Sequence, residues 1–239
     1  DELPCDDGMP METERHRLHM ELLIETLHPW LARRGDGYVG GNMFVYFTLE
    51  QVRGRYFRGP DVFVVLDVPP GERKSWVVWA EGKGPDVVIE LLSDSTARYD
   101  KDAKKNVYRD QLRVPEYYWF DPFNPDDLAG FVLRNGVYEP LPEADGRLIS
   151  RCLDLALIRW PGIYKGVEAV WLRWALPSGE LLPTGREAAQ QQADEALRQV
   201  QEAGRRAERE YERAEREHER AERLAARLRE LGGDPDHLP

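Results

Sequence analysis

Glu90 stands inside the apolar run Val87-Val88-Ile89-Glu90-Leu91-Leu92, and Asp61 follows Pro60 at the mouth of a second run, Val62-Phe63-Val64-Val65. An ionised carboxylate within a β-branched strand is costly unless it is paired, protonated or bound to a metal. Ten residues after Glu90 comes Asp100-x-x-x-Lys104-x-x-x-Tyr108, whose spacing of four puts the three side chains on one face of a helix. Hydrolysis of a phosphodiester needs a water made nucleophilic and a way to neutralise charge on the phosphate. Carboxylates on neighbouring strands can hold Mg²⁺ through oxygen, leaving water positions free. A nearby lysine can orient the attacking water or steady the developing charge. Asp61, Glu90 and Lys104 are the right types for these roles, and Tyr108 is spaced to support them.

Plainer roles exist for each residue. Asp61 after a proline can cap a turn, and Glu90 can be satisfied by a buried arginine or tyrosine. Lys104 on a charged helix is by default solvated. Tyr108 reads as a core-edge aromatic whose hydroxyl finds a partner. Ser93, Ser95 and Thr96 suit a turn and the cap of the next helix. Glu116 and Asp121 read as strand-end structure.

The elements that must carry these residues follow from periodicity. Thr13 to Ala32 places Leu18, Leu22, Ile24, Leu27 and Leu31 near helical period, with Thr13 as cap. Residues 42–47 read as a first strand, Asp61 to Leu66 as a second, and Val87 to Leu92 as a central strand covered on both faces. Ser75 to Ala80 suggests a short element. Asp100 to Leu112 reads as a helix with Ala103, Val107 and Leu112 turned inward. Glu116 to Phe120 is a further buried strand closed by Asp121-Pro122, and Asn135-Gly136 marks a hairpin turn. Residues 150–174 show mixed signals. This order predicts an α/β (α+β) core, a mixed sheet flanked by helices.

Composition divides the chain into a disordered lead over 1–10, a folded domain over 11–185, a helical appendage over 186–231 and a tail over 232–239. No apolar stretch is long enough to cross a membrane, and residues 1–10 lack the features of a signal peptide. Cys5 and Cys152 form neither a disulfide framework nor a metal-ligand pattern, which points to a reduced, cytoplasmic setting. The net charge of −11 argues against a passive electrostatic binder of nucleic acid. It does not exclude a nuclease, whose clustered carboxylates have their local effect reversed by a bound cation. The five histidines show no triad or zinc spacing, and His16 and His19 read as surface residues of the first helix. Trp171-Leu172-Arg173-Trp174 can stack on bases, though tryptophan in such a setting usually belongs to a core.

Taken together, Pro60-Asp61-Val62, Val88-Ile89-Glu90-Leu91-Leu92-Ser93-x-Ser95-Thr96, Asp100-x-x-x-Lys104-x-x-x-Tyr108 and Val114-Pro115-Glu116-Tyr117-Tyr118-Trp119-x-Asp121-Pro122 resemble the Uma-two family. That family lies within the PD-(D/E)XK, or restriction-endonuclease-like, superfamily, and the resemblance covers residues 11–175. It implies a nuclease fold with Mg²⁺ or Mn²⁺ held by Asp61 and Glu90, hydrolysing nucleic acid, DNA rather than RNA. The superfamily lysine two residues after the strand glutamate falls at Leu92, which cannot serve. The resemblance therefore moves that role to Lys104, with Lys101 and Lys105 as alternatives. It also implies a first-helix carboxylate near the metal, with Glu21 ahead of Glu14 and Glu25. The rival from another class is a catalytically silent nuclease fold that acts as a scaffold through its C-terminal helix.

In that last helix, Val200, Ala203, Ala207, Tyr211, Ala214, His218, Ala221, Ala225 and Leu228 form a near-heptad seam. Glu and Arg in near-equal numbers flank it. The seam suits either a coiled coil, as in a homodimer formed through this helix or through the core, or a solvated single helix.

Overall fold

A computed structural model of the chain describes residues 13–48, 59–93, 97 and 100–230. The expected lead over 1–10, the turn residues Ser95 and Thr96, and the tail over 232–239 lie outside the described residues. Residues Asp1–Gly185 make one compact unit and Arg186–Pro239 a second.

Helix α1 (Glu14–Arg34) begins where the Thr13 hydroxyl accepts the His16 backbone N–H at 3.1 Å. It ends at Gly35, whose left-handed φ of 86° closes the helix through its own N–H to the Leu31 carbonyl. The strands that follow are β1 (Tyr38–Gly40), β2 (Val45–Tyr46), β3 (Val62–Val65), β4 (Trp76–Val77) and, after the short helix α2 (Val78–Glu81), β5 (Val87–Leu91). Helix α3 covers 100–112, with π-helical turns at Asp100–Lys104 and Tyr108–Leu112 on either side of an α-helical Lys105–Val107. Next come β6 (Glu116–Phe120), β7 (Leu128–Arg134), β8 (Val137–Pro140), β9 (Arg147–Ser150), β10 (Leu155–Tyr164) and β11 (Val167–Ala175). Helix α4 (Gly185–Glu230) completes the chain.

The main sheet has the order β1-β3-β5-β6-β7-β8, with β5 and β6 parallel and every other pair antiparallel. A parallel pair needs a crossover, and α3 lies in that connection. Alternation sorts the central strands. Ile89, Leu91, Tyr118 and Phe120 join the core beneath α1 and the β9–β11 sheet. Val88 and Tyr117 join the opposite core, which includes Tyr108 of α3. Both faces of β5 are therefore covered, as its unbroken apolar run requires.

The chain departs from its sequence-based reading in four places. Residues 42–47 yield only the two-residue β2, paired in parallel with β4 outside the main sheet, and the sheet's first strand is Tyr38–Gly40. The stretch 150–174 contributes most of a three-stranded antiparallel sheet, β11-β10-β9, in which Trp171 and Trp174 are fully buried. Those indoles belong to the core and are closed to base stacking. On α3 the buried residues are Asp100 and Tyr108, while Ala103, Val107 and Leu112 are only half-buried. The inward face of that helix is thus its polar one. His16 and His19, expected at the surface, are buried as well.

Glu116 fastens the main sheet to the turn after β9. Its carboxylate accepts from the Tyr118 hydroxyl at 3.0 Å, the Ser150 hydroxyl at 2.5 Å, and the backbone N–H groups of Arg151 at 2.7 Å and Cys152 at 3.2 Å. Glu116→Ala leaves four donors without their acceptor, so it is expected to lower stability by about 3 kcal/mol. Chemical denaturation would measure this, and an unchanged midpoint would refute the role.

Candidate metal and active site

Antiparallel register brings the two principal carboxylates together. Val62 pairs with Ile89, so Asp61 and Glu90 lie next to one another just beyond the last pair of the β3–β5 ladder. The Asp61 carboxylate also accepts the backbone N–H of Leu91 at 2.7 Å, which pins it beside β5. Gly41 permits this arrangement, because a Cβ there would lie 2.3 Å from the Asp61 carbonyl oxygen.

Helix α3 closes over Glu90. The Lys104 ammonium lies 3.0 Å from Glu90 Oε2 and 2.8 Å from Asp100 Oδ1, and the Tyr108 hydroxyl donates to Glu90 Oε1 at 2.7 Å. Asp100, Lys104 and Tyr108 are four residues apart. An α-turn of 3.6 residues would drift such positions around the helix, and the wider π-turns hold them closer to one line. Tyr117 steadies the start of α3 by donating to the Asp100 carbonyl at 2.9 Å. Of the three candidate lysines only Lys104 reaches the pair. Lys101 is held by Asp127, and Lys105 lies over the Phe131 ring, 3.2 Å from its centroid.

Burial and charge crowding together set the electrostatics. Burial, together with the nearby Asp61 and Asp100 carboxylates, pushes the Glu90 carboxyl up to about 8 against the opposing pull of Lys104. Burial alone would drive the Lys104 ammonium down, yet the charges of Glu90, Asp100 and Asp61 outweigh it and hold Lys104 above its ordinary value. Burial likewise opposes ionisation of Asp61. The His16 hydrogen bond and charge, Lys104 and the Leu91 N–H prevail, leaving Asp61 below the usual carboxylate range. Tyr108 is raised well above a free phenol, chiefly by burial and then by Glu90, so it remains a donor.

The first helix meets this cluster through a residue that the sequence reading set aside. His16 Nε2 lies 2.9 Å from Asp61 Oδ1, and against an acceptor-only carboxylate the imidazole is the donor. The expected first-helix carboxylates point elsewhere. Glu21 pairs with Lys165 and Arg17, Glu14 is exposed beside Arg17, and Glu25 accepts from the Tyr164 hydroxyl and the Gly185 N–H. A signal for His16 was present: His16, His19, Leu23 and Leu27 share the buried stripe of α1. His19 is sealed between the Phe120 and Trp171 rings, where burial pushes it down to about 4. Asp100 is the other residue that sequence reasoning underrated. Leu92, at the position of the superfamily lysine, is fully buried.

Comparison with known proteins bears on this cluster. The family model of Uma2, described as "Putative restriction endonuclease", matches residues 7–161. No curated protein matches the chain. Among solved structures, one described as "a putative nuclease belonging to DUF820", from Anabaena variabilis, is similar at 16% identity and a TM-score of 0.44. The alignment covers 62% of this chain and 80% of that one. The family match takes in more than half of the sequence, including His16, Asp61, Glu90, Asp100, Lys104 and Tyr108, and the chain belongs to the Uma2 family.

Proposed function

We propose that this protein is a divalent-metal-dependent endonuclease that hydrolyses phosphodiester bonds in DNA. The observation that carries the reading is the convergence of Asp61, Glu90 and Lys104, with Glu90 fully buried. Family membership supports the nuclease class.

The donor set suits Mg²⁺ or Mn²⁺. Among the described residues no group of three or more metal-ligating side chains converges, which leaves a pair of carboxylates as the protein's share. Mg²⁺ is commonly held by one or two carboxylates and keeps several waters. Among the described residues each Asp61 and Glu90 oxygen has one hydrogen-bonding partner, which leaves a lone pair on each for a cation. A cation there also relieves the crowding that raises Glu90. When bound, the ion would supply an activated water and neutralise charge on the phosphate.

The chain's own residues have separable tasks in this proposal. Asp61 and Glu90 hold the ion. Lys104, anchored by Asp100, presents its ammonium to the attacking water or to the phosphate. Tyr108 fixes the rotamer of Glu90, and His16 fixes that of Asp61. Glu21, expected as a third ligand, is replaced in this reading by His16 as the contribution of the first helix. Partners that orient a metal ligand typically matter ~10–100-fold in metal affinity. His16→Ala is therefore expected to weaken Mn²⁺ binding by roughly that factor, and His16→Gln, which keeps a donor, to recover most of it. Calorimetry measures both; equal affinity in wild type and His16→Ala would remove His16 from the site.

The function itself is tested by incubating purified protein with supercoiled DNA and Mg²⁺ or Mn²⁺. Nicking that chelator abolishes is expected. Failure on DNA and RNA alike would reduce the nuclease fold to a scaffold.

A further inference from the structure

Helix α4 runs for 46 residues without one buried residue. Its large exposed apolar side chains are Leu197, Val200, Tyr211 and Leu224, each more than half exposed. On a seven-residue frame with Tyr211 and His218 at position a, Ala207, Ala214 and Ala221 fall at d. Leu197 then also falls at a, Val200 at d, and Leu224 at g beside the seam. A helix that is only a solvated spacer has no reason to align its bulky apolar residues.

The charges are sorted on the same frame. Positions e and g, which border the seam, hold Glu208, Glu210, Glu215, Glu217 and Glu222. Every arginine from Arg206 to Arg223 falls at c or f, on the outer side. Ion pairs such as Arg216–Glu212 and Arg223–Glu219 run along that outer side, and two of the flanking glutamates are also paired, Glu217 with Arg213 at 3.0 Å and Glu222 with His218 at 3.5 Å. Self-pairing through the seam is therefore unfavourable. In a parallel pair Glu210 of one copy meets Glu215 of the other, and Glu217 meets Glu222. An antiparallel pair sets e against e and g against g, again glutamate on glutamate. Nucleic acid is repelled for the same reason. The small d residues admit a close neighbour, which must bring the bulk that fills the seam.

We propose that α4 is the docking helix for a basic amphipathic helix of another protein, with large aliphatic residues over the alanines and Lys or Arg flanks facing the five glutamates. The inference is independent of the nuclease reading. The test uses two labelled peptides covering residues 197–230, one native and one with Glu208, Glu210, Glu215, Glu217 and Glu222 each replaced by lysine and Ala207, Ala214 and Ala221 each replaced by leucine. Each is titrated with the full-length protein and read by fluorescence anisotropy. The lysine peptide is expected to bind at least ten-fold tighter than the native one. Its binding should weaken as salt rises and disappear with a Tyr211→Lys, Leu228→Lys double variant of the protein. Equal or tighter binding of the native peptide would make the partner a second copy of this chain. Binding of neither would make α4 a solvated spacer. Either result overturns the proposal.

Discussion

Glu90→Gln is expected to lower DNA cleavage by ~10³-fold or more, in line with the loss of a preorganised group that stabilises transition-state charge. The amide is nearly isosteric and can still accept from Tyr108 through its oxygen, so the fold should persist. What disappears is a negative oxygen ligand. Because Glu90 is fully buried, no solvent-exposed carboxylate can take its place. Asp61→Ala should have a similar effect on activity. Lys104→Gln provides the contrast. It should lose activity while metal binding persists, shifted to higher pH because the ammonium no longer pulls the Glu90 carboxyl down. If Glu90→Gln keeps wild-type activity under saturating Mg²⁺, the proposed chemistry is wrong.

Metal binding is expected to be steeply dependent on pH. In the metal-free protein the Glu90 carboxyl is pushed up to about 8, so it carries a proton at neutral pH. A protonated carboxyl is a poor ligand, and binding must expel that proton. Below about 8 the proton competes with the metal, and each pH unit downwards costs up to ~10-fold in apparent affinity. Above about 8 the carboxylate is already free and affinity should level off. Between pH 6 and pH 8 the Mn²⁺ affinity should therefore rise ~50-fold, with close to one proton released per ion at the lower end. Calorimetry in buffers of different ionisation enthalpy counts the protons. In Glu90→Gln the residual binding should show no such slope. A flat profile in the wild type would mean that Glu90 is not a ligand.

Much of this arrangement is legible in the sequence. Pro60-Asp61, the lone glutamate of β5 and the four-residue spacing of α3 located the cluster, because each breaks a simple pattern at a cost that only a partner repays. The Asn135-Gly136 hairpin was readable for a local reason: both residues adopt positive φ, 50° and 80°, as a tight turn demands. What escaped was set by tertiary context. The side of α3 that faces the core carries Asp100, Lys104 and Tyr108, and an apolar-face rule reads such a helix backwards. His16 and His19 lie on a buried helical stripe, yet histidine by type reads as surface. The β10–β11 hairpin contains Pro161-Gly162, which reads as a break, although the strand runs through it from Leu155 to Tyr164. Glu21 sits one and a half turns beyond His16, on another face of α1, where Lys165 and Arg17 claim it. Position along a helix, and not residue type alone, decided which side chain met Asp61.

The most direct test is a Mn²⁺ titration of metal-free protein at pH 8.5, comparing wild type with Asp61→Ala. One ion per chain should bind to the wild type, and that binding should be lost in the variant while its thermal unfolding shows an intact fold. Equal Mn²⁺ affinity in the two proteins would contradict the claim that Asp61 and Glu90 together hold the metal.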